Sequence, residues 1–238
     1  MEYKIISGRT VEIRRVMMEP GRNRGKIRRG TRVKGNTSLR KIQANEREAV
    51  KNLARILNTN FKQGDLWLTL GYPNEMLPED ADAAKKQLEK FLRKCRDMLK
   101  KEGKQLRYVV STSEISTKTG GKARLHHHVV MDPVGYEAVC RLWPSAFISY
   151  RRLDGRGDYT GIARYMVTNA GEANGKKRWS TSKGLEKPIY TEPVPVRMSE
   201  KVNIPRDASL KAKDFFQDEE TGQMSLYVRF TKARVMRN

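Results

Sequence analysis

Arg124-Leu125-His126-His127-His128-Val129-Val130-Met131 constrains this chain more than any other stretch. Its apolar, partly β-branched tail and the upstream Gly120-Gly121 read as a buried strand leaving a hairpin turn. Side chains on a strand alternate between faces. His126 and His128 therefore share a face with Val130, and His127 shares the other with Leu125 and Val129. The chain has three histidines, and all of them are here. Two imidazoles one pleat apart can grip a metal ion from the same side. Hydrogen-bonded or surface histidines are the plainer alternative.

The rest of the chain supplies the partners such a strand needs. Residues 3–18 alternate loosely and read as one or two strands about Ser7-Gly8. Ser38 opens a long helix with Leu39, Ile42, Val50, Leu53, Ile56 and Leu57 at helical spacing. Residues 65–72 form an apolar, central strand. Pro78, Glu79, Asp80 and Asp82 start a helix that runs to 101, with Ala84, Leu88, Phe91, Leu92, Cys95 and Leu99 on one stripe. Residues 106–115 are a further strand. Asp132-Pro133 caps a short helix reaching Trp143, and 146–152 return as a strand. Asp158 caps a helix carrying Tyr159 and Tyr165. Residues 186–199 are proline-broken, and 213–230 form a hairpin about Thr221-Gly222 with Met224, Leu226, Val228 and Phe230 on one face.

Charge narrows the partner. The net charge is +22, which implies a polyanion, with nucleic acid ahead of a membrane surface. Residues 21–34 hold seven basic residues and no acid. This stretch is too polar and glycine-rich for a core and reads as a mobile basic loop. Arg22, Arg24, Arg28, Arg29, Arg32 and Lys34 are its phosphate-contact candidates. Lys176, Lys177 and Arg178 form a second basic run beside Trp179. No run is apolar enough to span a membrane. Cys95 and Cys140 sit in apolar helical patterns and read as free thiols of a reducing cytoplasm.

The order strand–helix–strand–strand–helix–strand over 65–152 is the ferredoxin-like, α+β arrangement. It predicts an antiparallel sheet with helices on one face and the other face open to nucleic acid and chemistry. The domains read as 1–61 (strand, basic loop, helix), 62–185 (core) and 186–238 (extension with a hairpin).

Three segments then resemble, in order, the motifs of HUH endonucleases: Trp67-Leu-Thr-Leu-Gly-Tyr72, Leu125-His-His-His128 and Ile162-Ala-Arg-Tyr165. The segment Arg178-Trp-Ser-Thr-Ser-Lys183 is similar to one that follows the tyrosine helix in rolling-circle replication initiators of phages, plasmids and integrative elements. Two positions depart from the pattern. The middle residue of the motif, usually apolar, is His127, and a basic residue often found three positions after the tyrosine is replaced by Thr168.

The resemblance implies a metal-dependent endonuclease and ligase acting on single-stranded DNA or a hairpin at a replication origin. A host helicase or polymerase would be a further partner. It implies a divalent cofactor, Mg²⁺ or Mn²⁺, held by His126, His128 and an oxygen ligand, for which Glu114 is the candidate. A three-residue loop centred on Gly120 puts Glu114 opposite His126, whereas a Gly120-Gly121 turn puts it opposite His127. We expect the first. Tyr165 is the implied nucleophile, leaving a 5′-phosphotyrosine, with Arg164 as a nearby phosphate contact. Tyr159 is about 240° away round the helix, so a single-tyrosine enzyme is expected. A transposase- or relaxase-like relative and a non-catalytic nucleic-acid-binding module are the alternatives.

Overall fold

In chain order the elements are β1 (Glu2–Ser7), β2 (Thr10–Val16), α1 (Leu39–Asn60), β3 (Leu66–Leu70), α2 (Ala81–Lys101), β4 (Tyr108–Ile115), β5 (Lys122–Met131), α3 (Tyr136–Leu142), β6 (Ile148–Arg152), α4 (Thr160–Asn169), β7 (Ser180–Thr181), β8 (Ile189–Tyr190), β9 (Ser209–Gln217) and β10 (Met224–Thr231). They come from a computed structural model that describes residues 1–17, 39–115, 122–143, 147–170, 178–217 and 223–233, side chains at 39–41, 114–115 and 122–123 excepted. The chain divides into two compact units, one made of 1–47 with 188–238 and the other of 48–187.

The first unit is an antiparallel sheet in the order β8-β1-β2-β10-β9. A tight turn joins β1 to β2, with Gly8 at a φ of 57° that a β-carbon would disfavour. Strand β2 then pairs with β10, Thr10 opposite Thr231. The N- and C-terminal segments, separate domains by sequence, thus share one sheet. Its apolar face collects Val11, Ile13, Val228 and Phe230. The expected turn at Thr221-Gly222 lies outside the described residues, as do the basic loop at 21–34 and Ser38.

The second unit holds the ferredoxin-like core. Its sheet order is β6-β3-β5-β4-β7, antiparallel throughout. Leu66, Leu68 and Leu70 alternate inward on β3 and meet Val129, Met131 and the stripe of α2. Every predicted stripe residue of α2, from Ala84 to Leu99, is buried. Asp80 caps this helix by accepting from the Ala83 amide at 2.7 Å. Burial pushes the Cys95 thiol up to about 12, so it stays protonated and apolar.

The opposite sheet face is not left fully open. Val109 and Val130 on that face are covered by Val50, Leu53 and Leu57 of α1 and by Ala163, Met166 and Val167 of α4. The apolar stripe of α4 needs a surface to bury, and this end of the sheet provides it. The polar end, with His126 and His128, lies beyond the cluster.

Two expected caps move. The helix after β5 starts at Tyr136 with Gly135 as its cap. Asp132 instead accepts from the Arg107 amide at 2.6 Å and from its guanidinium at 2.6 and 3.1 Å. On α4 the capping position is Tyr159, one residue later than expected. Asp158 still serves the first turn, accepting from the Thr160 amide at 3.1 Å and its hydroxyl at 2.6 Å.

Candidate active site

Strand β5 delivers the three histidines as alternation requires. Thr69 on β3 and Ser111 on β4 lie opposite His128, and Ser113 lies opposite His126. On this face the Nε2 atoms of His126 and His128 stand 3.1 Å apart. The Nδ1 of His126 lies 2.7 Å from the Arg124 carbonyl. A carbonyl only accepts, so neutral His126 carries its proton on Nδ1 and turns a bare Nε2 to its neighbour. His128 Nδ1 sits 3.3 Å from the Thr69 hydroxyl. When that hydroxyl accepts, two bare nitrogens face each other, an arrangement suited to a shared cation. Burial, then the charge of His126, then that of His127, lower the pKa of His128 to about 3, which keeps it in the neutral form that ligates metal.

His127 points the other way and belongs to the core. Tyr72 donates its hydroxyl to the Ala84 carbonyl at 3.2 Å, so it accepts from His127 Nε2 at 2.6 Å. The Thr112 hydroxyl then donates to His127 Nδ1 at 3.0 Å. The ring is packed edge-on against Trp143, with centroids 5.9 Å apart. Burial foremost lowers its pKa to about 3.

Helix α4 lays Tyr165 over the histidine pair. Its ring meets that of His128 edge-on at 4.8 Å and that of Trp67 at 6.2 Å. Trp67 in turn stacks on His128 at 5.3 Å. Tyr165 remains 45% exposed, so a substrate can reach it. Tyr159 is 4% exposed, and its hydroxyl donates to the Asp154 carbonyl at 3.1 Å. The two tyrosines thus occupy different environments. Thr168, which stands in the place of the usual basic residue, donates its hydroxyl to the Arg164 carbonyl at 2.9 Å. Arg164 is exposed on the same helix, and Arg178 is half-buried beside Trp179, which packs on the second-face core.

The hairpin register differs from the expected one. Ser113, rather than Glu114, lies opposite His126, and the register shifts between Ser113 and Ile115, with Ile115 opposite Lys122. Glu114 therefore falls at a bulge in which β5 carries extra residues. Its side chain lies outside the described set, as do Arg22, Arg24, Arg28, Arg29, Arg32, Lys34, Lys176 and Lys177. Among the described residues no group of three or more His, Cys, Asp or Glu gathers to hold a metal. Two serines that sequence reasoning passed over line this face. The Ser113 hydroxyl donates to the Asn169 carbonyl of α4 at 3.0 Å. The Ser111 hydroxyl is buried with no hydrogen-bond partner among the described residues, a cost that a ligand or ion at the site would relieve. The signal was present: Ser111-Thr112-Ser113 is a polar run inside an otherwise apolar strand.

Among the described residues no helix is long and apolar enough to cross a membrane. Comparison with curated proteins and with solved structures returns no match. Residues 65–170, the segment carrying Trp67, the three histidines and Tyr165, match a family model of replication-associated proteins, the ORF2 type, which supports a role in replication initiation.

Proposed function

We propose that the chain is an HUH-type endonuclease that nicks and rejoins single-stranded DNA to initiate rolling-circle replication, with Tyr165 as nucleophile and a divalent ion at His126 and His128. One observation carries the reading: an exposed tyrosine on a helix is stacked edge-on over two histidines whose Nε2 atoms converge. The donor set fits Mg²⁺ or Mn²⁺, with Glu114 at the bulge as the oxygen ligand. When bound, such an ion neutralises phosphate charge and polarises the scissile bond.

The chain's own groups do the rest. Trp67 fixes the plane of His128, and Arg124 fixes the tautomer of His126. The Tyr165 oxygen forms a bond to phosphorus while the bond from phosphorus to the 3′ oxygen breaks. The proton lost by the phenol balances the one gained by that oxygen, leaving a 5′-phosphotyrosine and a 3′-hydroxyl. Attack by a 3′-hydroxyl reverses the step and rejoins the strand. Arg164 and the Lys176–Arg178 run supply cationic charge for the flanking backbone, the task a basic residue at Thr168 would otherwise share.

The test is covalent capture. A labelled single-stranded oligonucleotide spanning the origin of the parent replicon, incubated with Mn²⁺, should become attached to the parent protein and not to Tyr165→Phe. Tyr159→Phe should still form the adduct, at a stability cost of about 0.5–1.5 kcal/mol for the lost hydrogen bond. An adduct with Tyr165→Phe and none with Tyr159→Phe would move the nucleophile to Tyr159. No adduct with any of the three would leave a binding module in place of an enzyme.

A further inference from the structure

Beside His126 a cleft of about 440 Å³ opens along the ends of β3, β5 and β6. Thr69, Leu125, His126, Phe147, Ile148 and Ser149 contribute to its walls. Phe147 is 60% exposed, an unusual setting for a large aromatic ring. Its backbone is nevertheless held, because its carbonyl accepts from the Gly71 amide at 2.8 Å. Gly71 leaves the ring its room, since a β-carbon there would come within 3.1 Å of the Phe147 β-carbon. The Arg124 guanidinium lies 5.6 Å from the ring centroid and is anchored by donating to the Tyr72 carbonyl at 2.5 Å. An exposed aromatic ring thus stands beside an anchored cation, in a cleft that shares His126 with the site above.

The geometry points to this cleft as the seat of one unstacked nucleobase, belonging to a nucleotide that flanks the phosphate at His126 and His128, with Phe147 as its stacking platform. This rests on the strand-nicking reading and adds where the strand lies. Every base has a π-face, so an aromatic platform with an adjacent arginine holds single strands without demanding one sequence. The Thr69 and Ser149 hydroxyls donate or accept as needed and so can meet more than one base edge. No carboxylate is among the lining residues to repel the phosphate that accompanies the base.

Photocrosslinking tests it. The full chain is mixed, in EDTA so that no strand is cut, with a short mixed-sequence single-stranded oligonucleotide bearing 5-iodouracil. The mixture is irradiated, digested and mapped by mass spectrometry. The expected result is a uracil adduct on Phe147. Binding of the same oligonucleotide should weaken by about fivefold or more in both Phe147→Ala and Phe147→Leu, because leucine restores bulk but no stacking face. Crosslinks elsewhere with none on Phe147, or parental binding by Phe147→Ala or by Phe147→Leu, would overturn the cleft while the covalent adduct at Tyr165 still stood. Absence of both oligonucleotide binding and the Tyr165 adduct in the parent would bring down the nicking reading, and the cleft with it.

Discussion

The proton on His127 has a defined place. Tyr72 gives its own proton to Ala84, so His127 gives one to Tyr72 and takes one from Thr112. Charging the ring would leave Thr112 facing a second donor inside a closed core. His127→Ala should therefore keep its Mn²⁺ affinity yet lose about 2–4 kcal/mol of stability, by cavity and orphaned hydroxyls. His126→Ala and His128→Ala should lose the ion. Manganese titration and urea denaturation of the three variants check this, and equal metal losses in all three would reverse the face assignment. The pH dependence follows from the same burial. His127 and His128 titrate near 6.5 when unfolded and near 3 when folded. Below 6.5 the unfolded chain binds protons that the folded chain refuses, so the stabilisation is full above that pH and is lost as pH falls toward 3. Each group contributes up to about 1.4 kcal/mol per pH unit. Denaturation midpoints measured in metal-free buffer should fall steadily from pH 6.5 to 4. A flat profile would show that neither ring is held neutral.

Elements respond to their ties as well as to their own pattern. Asp132 joins the end of β5 to the start of β4 through Arg107. Asp132→Ala should cost about 1.5–3 kcal/mol, toward the lower end because the Arg107 side chain is 39% exposed and water replaces part of what it loses. A thermal melt equal to that of the parent would mean that the carboxylate is dispensable. From sequence Asp132 reads as a helix cap, because Asp-Pro before a helix is a local signal, whereas the competing Arg107 lies 25 residues upstream. The same contrast separates the legible from the hidden elsewhere. The stripe of α2 and the alternation that parts His127 from its neighbours depend on periods of a few residues, and a reader of the sequence sees them. The placing of Ser113 opposite His126 depends on how many residues the β4–β5 bulge absorbs, and Gly120-Gly121 does not encode that number. The cover that α4 gives the second sheet face depends on which surface is free to receive an apolar stripe, a property of no single segment. Tyr165 could be named from its motif, but its exposure against the burial of Tyr159 became visible only once α4 was seated.

At the scale of the molecule, charge and connectivity dominate. A net charge of +22 should make DNA binding steeply salt-dependent. Replacing Arg28, Arg29, Arg32 and Lys34 together with Gln should flatten the log–log slope by about 0.7 for each phosphate that is no longer neutralised. An unchanged slope in a salt titration of single-stranded DNA binding would release this loop from any phosphate role. Connectivity has a different outcome. Thr10 of β2 pairs with Thr231 of β10, so the first strands to leave the ribosome wait for nearly the last. At ordinary synthesis rates that wait is on the order of ten to forty seconds. Throughout it the β1–β2 hairpin, with Val11 and Ile13 unsheltered, offers a bare edge to any passing chain. Residues 48–187 have every strand of their own sheet in hand much earlier. A message cut short before β10 would thus yield a chain whose histidine strand has all its partners while its opening hairpin never finds its mate, and such a product is a natural substrate for chaperones and proteases.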